Sequence, residues 1–364
     1  MGWRYFAQSV PSGEIIDPDL PLSGAQIGRA LSGPGSLSGS IPIEVARLRN
    51  ADLWEWRAMV FAEKDGEIRG GGIIDVSRQN GSAWELSCVG HSGYLKDQPY
   101  VGDGWVGTKV DPADVYRLIW NHAQSFEDSN LGVVVSSTTT PVRIGSEQYI
   151  PLYETPTEND TTFDDGPIRM NFYETLDLGE MADEMAKVAP FDYRERIQYK
   201  QDGSVGLFID IGYPQIGRRR DDLTFQLGVN ITEVPSRTLV EEGYATEVVV
   251  LGAGEGREKV RGHAPRNRVG GLRRVVTIVD DTIRYDWQAQ DRAREEQRRR
   301  SGIREISELS VTDHEMAPVG SFDVGDEIRI VGDMGWDQMD AWMRVVGITI
   351  SPEDMNTMKI EVKA

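Results

Sequence analysis

The sequence predicts a mainly β protein with inserted α+β segments, and three observations lead there. Glycine is frequent, 39 of 364 residues, against a usual ~7%, and excess glycine beside short apolar runs marks turns and strands. Asx-Gly dipeptides recur between alternating runs, at Asp65-Gly66, Asn80-Gly81 and Asp202-Gly203, where they supply the positive φ angles of tight hairpin turns. Helical periodicity is confined to three stretches, near 111–126, 175–189 and 280–301.

Residues 1–30 carry few helix signals and read as an N-terminal arm. The run LSGPGSLSGSIPIE (31–44) has linker composition, but Leu31, Leu37, Ile41 and Ile43 recur through it, which favours strands joined by turns. Residues 54–89 form a predicted β-meander: strands Trp56–Ala62, Ile68–Val76 and Trp84–Val89 around the first two hairpin dipeptides. The helix near 111–126 has Asp111 as a cap, Pro112 in its first turn and Val115, Leu118, Ile119 and His122 on one face. Residues 136–170 lose periodicity, and ENDTTFDDGP (158–167) reads as an exposed loop. The helix near 175–189 turns Leu178, Met181, Ala182 and Met185 inward and stops at Pro190. Strands return at Ile197–Tyr199, Val205–Ile211, Leu223–Ile231 and Thr246–Leu251. The helix near 280–301 is highly charged, with Ile283, Trp287 and Ala293 as anchors and Gly302 as its end. Strands at Glu305–Val311, Glu327–Val331, Trp342–Ile350 and Thr357–Val362 close the chain.

Two segments share a layout: GGIIDVSRQNGSAWELSC (71–88) and VGITISPEDMNTMKIEV (346–362). Each has a glycine, an apolar strand, a polar turn and an alternating strand. Gly72 aligns with Gly347, Ile73 with Ile348, Leu86 with Ile360 and Cys88 with Val362, with one residue fewer in the second turn. Any two hairpins share some of this; a duplicated small β-barrel, one copy toward each end, explains it equally well. The expected division is an arm (1–30), a first barrel (31–97), an α+β insertion (98–190), a β-rich segment (191–245) and a second barrel with the charged helix (246–364).

Net charge is −20, the wrong sign for a nucleic-acid binder and the right one for a surface that repels polyanions. One cysteine, Cys88, excludes an intrachain disulfide and a multi-cysteine zinc site. The first residues hold no apolar run long enough for a leader, and no stretch is long and apolar enough for a membrane helix.

No chemical motif is complete. VVVLGAGEGREKV (248–260) approaches a dinucleotide-binding turn through Gly252, Gly254 and Gly256, but Arg257 stands where the third glycine belongs, and Gly262 and Pro265 oppose the helix that should follow. Cys88 and His91 could pair as thiol and base; without a third orienting group a buried structural cysteine is the better account. His91, His122, His263 and His314 lack metal-ligand spacing, and Asp313 beside His314 has no serine motif. The acidic loops 154–165 and 333–340 lack the alternating calcium-loop pattern. No catalytic residue, cofactor site or metal site is expected. The arginine clusters Arg218, Arg219, Arg220 and Arg298, Arg299, Arg300, with Arg273 and Arg274, are candidate contacts to neighbouring copies or partners.

The order of these parts resembles a known family. A Gly/Ser-rich β start, a meander with DGEIRGGGII, an inserted mixed region and a charged helix are followed by SFDVGDEIRIV (321–331) and RVVGITISPEDMNTMKIEV (344–362). This resembles the minor tail proteins of phages infecting actinobacteria and is similar in plan to the baseplate hub proteins of contractile tails, such as that of phage Mu. The resemblance implies a structural subunit of the virion tail tip, assembled in the host cytoplasm, with no catalytic motif. It further implies a homotrimer whose two barrels per chain make a ring of six between a sixfold tube and a threefold tip. Partners would be the distal tail protein, the tape measure protein and fibre proteins, with DNA passing through the channel unbound. Two other classes stay open: a tail-borne cell-wall hydrolase, and a carbohydrate-binding receptor module suggested by nine tryptophans.

Overall fold

The computed structural model describes residues 2–10, 12–145, 167–235, 237–238, 244–266, 272–280, 283, 285–300, 305–333, 335, 338–354 and 357–363. In chain order the elements are β1 (Trp3–Ser9), β2 (Ile15–Asp17), β3 (Ser23–Ala30), β4 (Ser36–Pro42), α1 (Ile43–Arg49), β5 (Ala58–Lys64), β6 (Glu67–Asn80), β7 (Ala83–Val89), β8 (Trp105–Gly107), α2 (Pro112–Ala123), β9 (Val133–Val135), β10 (Ile168–Met170), α3 (Leu178–Val188), β11 (Asp192–Tyr199) and β12 (Val205–Gly212). There follow β13 (Phe225–Gln226), β14 (Arg237–Thr238), β15 (Glu247–Leu251), β16 (Arg261–Ala264), β17 (Val275–Val279), α4 (Asp286–Arg300), β18 (Glu305–Ile306), β19 (Glu308–Val311), β20 (Glu327–Asp333), β21 (Gln338–Ser351) and β22 (Thr357–Lys363). The chain divides into a first unit from Met1–Leu152, Asp164–Val234 and Glu308–Ala364, and a second whose described residues lie in Pro235–Ser307.

The protein is mainly β with inserted α+β, as the sequence predicts. In the first unit a 12-stranded sheet runs β13-β20-β21-β3-β4-β7-β6-β5-β1-β2, with β22 on β21 and β19 on β22. No closed barrel forms among the described residues, which corrects the expectation of two; long strands branch instead. The expected arm, 1–30, is part of this sheet as β1, β2 and β3. The segment expected as one barrel, 246–364, is split, with residues up to Ser307 in the second unit and Glu308 onward in the first.

The repeat is present at a different register. The meander β5-β6-β7 has strands of 7, 14 and 7 residues, and β20-β21-β22 has 7, 14 and 7. Each long strand changes partner at its midpoint. Ile73 pairs Met59 and Val89; Arg344 pairs Glu327 and Lys363. A bulge follows two residues later in both, skipping Asp75 and Val346. Before each meander a residue in the left-handed region, Trp56 (φ 60) or Gly325 (φ 94), donates its backbone N–H to Ile74 O or Val345 O, at 2.8 Å in both cases. Leu86 does match Ile360 and Cys88 matches Val362. Gly347, however, corresponds to Val76 and not to Gly72. The second turn is longer than the first: Asn80 pairs Ala83, whereas Ser351 pairs Thr357. Shared glycines misled the alignment because they serve different neighbours. A Cβ on Gly72 would overlap Val89 backbone, while one on Gly347 meets the Glu361 side chain.

In the inserted α+β part α3 packs on α2, and α2 packs on β9 of the three-stranded sheet β11-β12-β9. Trp120, Tyr116, Ile119, Met181 and Met185 are buried there with Ile209 and Leu207. Asp111 caps α2 as expected, accepting from Ala113 N at 2.9 Å, and it also holds Thr140 N at 2.6 Å and Thr140 Oγ1 at 2.8 Å. The second unit lays α4 on β15 and β16. Its small core is Val248, Val250, Ala264, Ala289 and Ala293, with Ile283, and Gly262 lets the α4 backbone approach closely.

Candidate functional site

Three places in the first unit concentrate polar or exposed groups. One is a cavity of about 450 Å³ bordered by Arg29, Arg69, Glu195, Arg196, Tyr199 and Asp323. Its charges are matched locally: Arg29 to Asp323 at 2.7 Å, Arg194 to Asp323 at 3.4 Å, Arg69 to Glu67 at 2.6 Å and Arg196 to Asp210 at 2.7 Å. At its wall Glu195 joins three segments. Its carboxylate accepts from Gly35 N at 2.9 Å and Ser92 N at 2.5 Å, and His91 Nδ1 lies 3.9 Å away. The approach requires Gly35 and Gly90, since a Cβ on Gly90 would overlap that carboxylate. Glycine in LSGPGS and CVGHSG therefore serves packing as well as turns. The arrangement is internal bracing; it presents no nucleophile.

The Cys88–His91 pair does not form. Cys88 is buried, and burial pushes its thiol pKa up, away from thiolate chemistry. His91 Nε2 donates to Phe208 O at 3.0 Å. His122 is a packing residue: it stacks on Tyr100 at 4.3 Å, meets Phe126 at 5.1 Å, and its Nε2 accepts from Val101 N at 3.1 Å. The Gly252–Gly256 turn leads from β15 through a single 3-10 turn, Gly256–Glu258, into the antiparallel strand β16, and not into the α-helix that a dinucleotide-binding turn requires. His263 and Arg273 both bond Glu247, at 2.8 and 2.7 Å, and hold its carboxyl, Arg273 foremost, at about 2. Asp313 pairs with Lys64 at 2.8 Å. Asp340 is bonded bidentately by Arg329, at 2.7 and 2.6 Å. The loop 154–165 lies outside the described residues. Among the described residues no group of three or more His, Cys, Asp or Glu side chains is placed to hold a metal ion.

The second place is the cluster Arg218–Arg220. Arg220 is buried and bonds Asp222 at 2.6 Å, the Ser321 carbonyl and Asp326 at 3.6 Å, so it is a structural residue and not the surface contact its sequence suggests. Arg219 lies 3.7 Å over the Trp342 ring and Arg218 is exposed; these two remain available at the surface. In the second unit Arg300 is likewise buried, bonding Glu296 at 3.0 Å, while Arg298 is exposed. The side chain of Arg299 lies outside the described residues.

The third place escaped the sequence reading. The outer half of β6 is exposed along one edge, and the turn carrying Trp54 and Trp56 lies beside it. Val76 is 51% exposed, Trp54 47% and Trp56 49%. Trp54, Gln79 and Trp84 share a hollow of about 200 Å³ with α1. These exposed apolar side chains make this edge a candidate contact surface.

Comparison with known proteins bears on the fold. No protein-family profile matches the sequence, and no curated protein matches it. Solved structures do match, and tail proteins are among them. The 43 kDa tail protein of prophage MuSo2 from Shewanella oneidensis superposes with a TM-score of 0.59 at 13% identity, over 99% of this chain and 98% of that one. A tail protein from Neisseria meningitidis MC58 gives 0.57 at 16% identity, over 100% and 97%. The prophage tail protein gp18 from Listeria monocytogenes EGD-e gives 0.53 at 9%, over 99% and 94%. The fold of this chain is thus the fold of these tail proteins, the class its sequence resembles.

Proposed function

We propose that this chain is a structural hub subunit of a phage tail tip, joining a sixfold tube to a threefold tip around the DNA exit channel. The observation that carries this reading is the end-to-end likeness to a Mu-like prophage tail protein, over 99% of this chain and 98% of the other. The matched 7–14–7 meanders support it, because two equivalent pieces per chain let three copies present six similar positions. Charge supports it too: a −20 subunit repeated threefold carries about sixty excess negative charges, which discourages phosphate contacts during DNA passage. The distal tail protein, the tape measure protein and fibre proteins are the proposed partners, in the virion. Arg218, Arg219 and Arg298 are the proposed contact arginines. The chain is proposed to act without catalysis: Cys88 is buried and the Glu195–His91 cluster is bracing. Peptidoglycan and glycan cleavage assays on the purified chain test this, and turnover abolished by a single substitution would overturn it. The carbohydrate-binding reading rests on exposed Trp54 and Trp56; glycan-array binding lost in Trp54→Ala or Trp56→Ala would favour it over assembly.

A further inference from the structure

The two meanders are equivalent in length, partner exchange and bulge, yet one edge is treated differently. Beyond the bulge, β21 is paired on both sides, with β22 on one and β3 on the other: Gly347 faces Ala30, Ile348 faces Arg29 and Ile350 faces Ile27. Leu31 N adds a bond to Val346 O at the bulge, 2.9 Å. Gly347, Ile348 and Ile350 are buried as a result. The corresponding residues of β6 are Val76, Ser77 and Gln79. Among the described residues they pair with β7 alone, and Val76, Arg78, Gln79 and Asn80 are exposed. At the bulge, Asp75 has a buried Oδ1 without a hydrogen-bond partner among the described residues.

The free edge is guarded. Glu55 Oε1 accepts from Ser77 N and from Ser77 Oγ, both at 2.7 Å, and the Ser77 hydroxyl chiefly keeps its carboxyl below the usual carboxylate range. The counterpart of Glu55, one residue before Gly325, is Val324, which is buried and can plug nothing. A side-chain carboxylate on an edge amide is a known way to keep an unpaired strand from indiscriminate pairing. It also shows which way the backbone faces: Ser77 N–H points outward, and by the period of two so does Gln79 N–H.

We infer that the outer edge of β6, Val76–Asn80, is the site where a second copy of this chain adds a strand. The protein itself shows what covers such an edge, because β3 covers the equivalent one in β21. The second half of the chain also has a counterpart of β3. The segment after β13 enters beside β19 at Thr232, whose N bonds Ser310 O at 3.0 Å, as Ser23 enters beside β4, and the counterpart of the part of β3 that covers β21 is β14, where Arg237 faces Ile306 and Thr238 faces Glu305. A second copy supplies that segment, displaces Glu55 and covers Val76, with Trp54 and Trp56 at the rim. One half then contacts the next in the same way within and between chains, a head-to-tail contact that closes as a ring. This rests on the hub reading above and assigns its intersubunit surface.

The test uses the full chain. Sedimentation over the widest attainable concentration range, with hydrogen exchange of the 76–80 peptide, compares wild type with Gln79→Pro and Val76→Lys. Proline removes an outward N–H and leaves the β6–β7 pairing; lysine keeps all backbone bonds and places charge on the covered surface. The expected result is a wild-type trimer with slowed exchange at 76–80 and a dissociation constant raised at least about tenfold in both variants, at unchanged circular dichroism. A wild-type trimer that persists in both variants overturns the edge assignment and leaves the hub reading standing. A chain that stays monomeric with fast exchange at 76–80 at every concentration overturns the edge as a self-association site; the hub reading then stands or falls on copy number in the tail.

Discussion

Replacing Glu195 by alanine removes the group that fastens the β4 approach and the turn after β7 to β11. Both oxygens are used: Oε2 by Gly35 N and Oε1 by Ser92 N. Gly90 N, bonded to Gly35 O at 2.7 Å, keeps the two turns together; Ser92 is buried, whereas Gly35 borders the cavity, where water can reach its N–H once the carboxylate is gone. The buried Ser92 N–H left unpaired costs about 1–3 kcal/mol and the cavity-side Gly35 N–H less, about 1–4 kcal/mol together, a sizeable share of a typical stability of about 5–15 kcal/mol. Glu195→Gln keeps one acceptor and opposes the other donor with an amide, so it should lose roughly half as much. Urea unfolding followed by tryptophan fluorescence reads this well, because Trp287 is the one tryptophan within Pro235–Ser307, so the signal comes mainly from the first unit. A Glu195→Ala loss below about 0.5 kcal/mol, the scale of an ordinary surface substitution, would refute the bracing role.

Two further outcomes follow from the packing. In the second unit, a Cβ on Gly262 would overlap the Ala289 carbonyl and come within 2.5 Å of Gln290 N, so Gly262→Ala should push α4 off β16 at a cost of about 3 kcal/mol, read as faster protease cleavage within α4. Burial lowers the His122 pKa, and only a ring nitrogen without a proton can accept from Val101 N. The unfolded ring protonates near ~6.5 and the folded ring resists, so stability is intact above about pH 6.5 and falls as the pH drops through the depressed folded value; His122→Gln should flatten that acid-side loss in a pH series of urea midpoints.

Much of the fold was legible where local chemistry decides it. Asp65-Gly66 marks the first turn of the first meander, Asn80-Gly81 marks the second one residue early, since Asn80 pairs Ala83 and the turn is Gly81-Ser82, and Asp111 and Pro112 mark the start of α2. Elements fixed by distant partners were not legible. Strand Leu223–Ile231 shrinks to Phe225–Gln226 because Gly228 (φ 79) turns the chain and the Asn230 side chain binds Gln226 N and Thr224 O. Helix α1 was missed, since Ile43–Arg49 is a short run directly after a strand. The register of the repeat hides in partner exchange at Ile73 and Arg344, two residues with nothing chemical in common. The candidate contact surface at β6 is not legible in the sequence. What makes Trp54 and Trp56 notable is the outer edge of β6 beside them, which carries no strand among the described residues, and a strand's missing neighbour leaves no mark in its own sequence.

The most direct test of the hub account is reconstruction of the intact tail tip, read for copy number and for the side chains lining the lumen. The account predicts three copies in a closed ring, with the β5-β6-β7 and β20-β21-β22 meanders alternating in six equivalent positions around an acidic channel. A copy number other than three, or a lumen lined mainly by Lys and Arg, would contradict it.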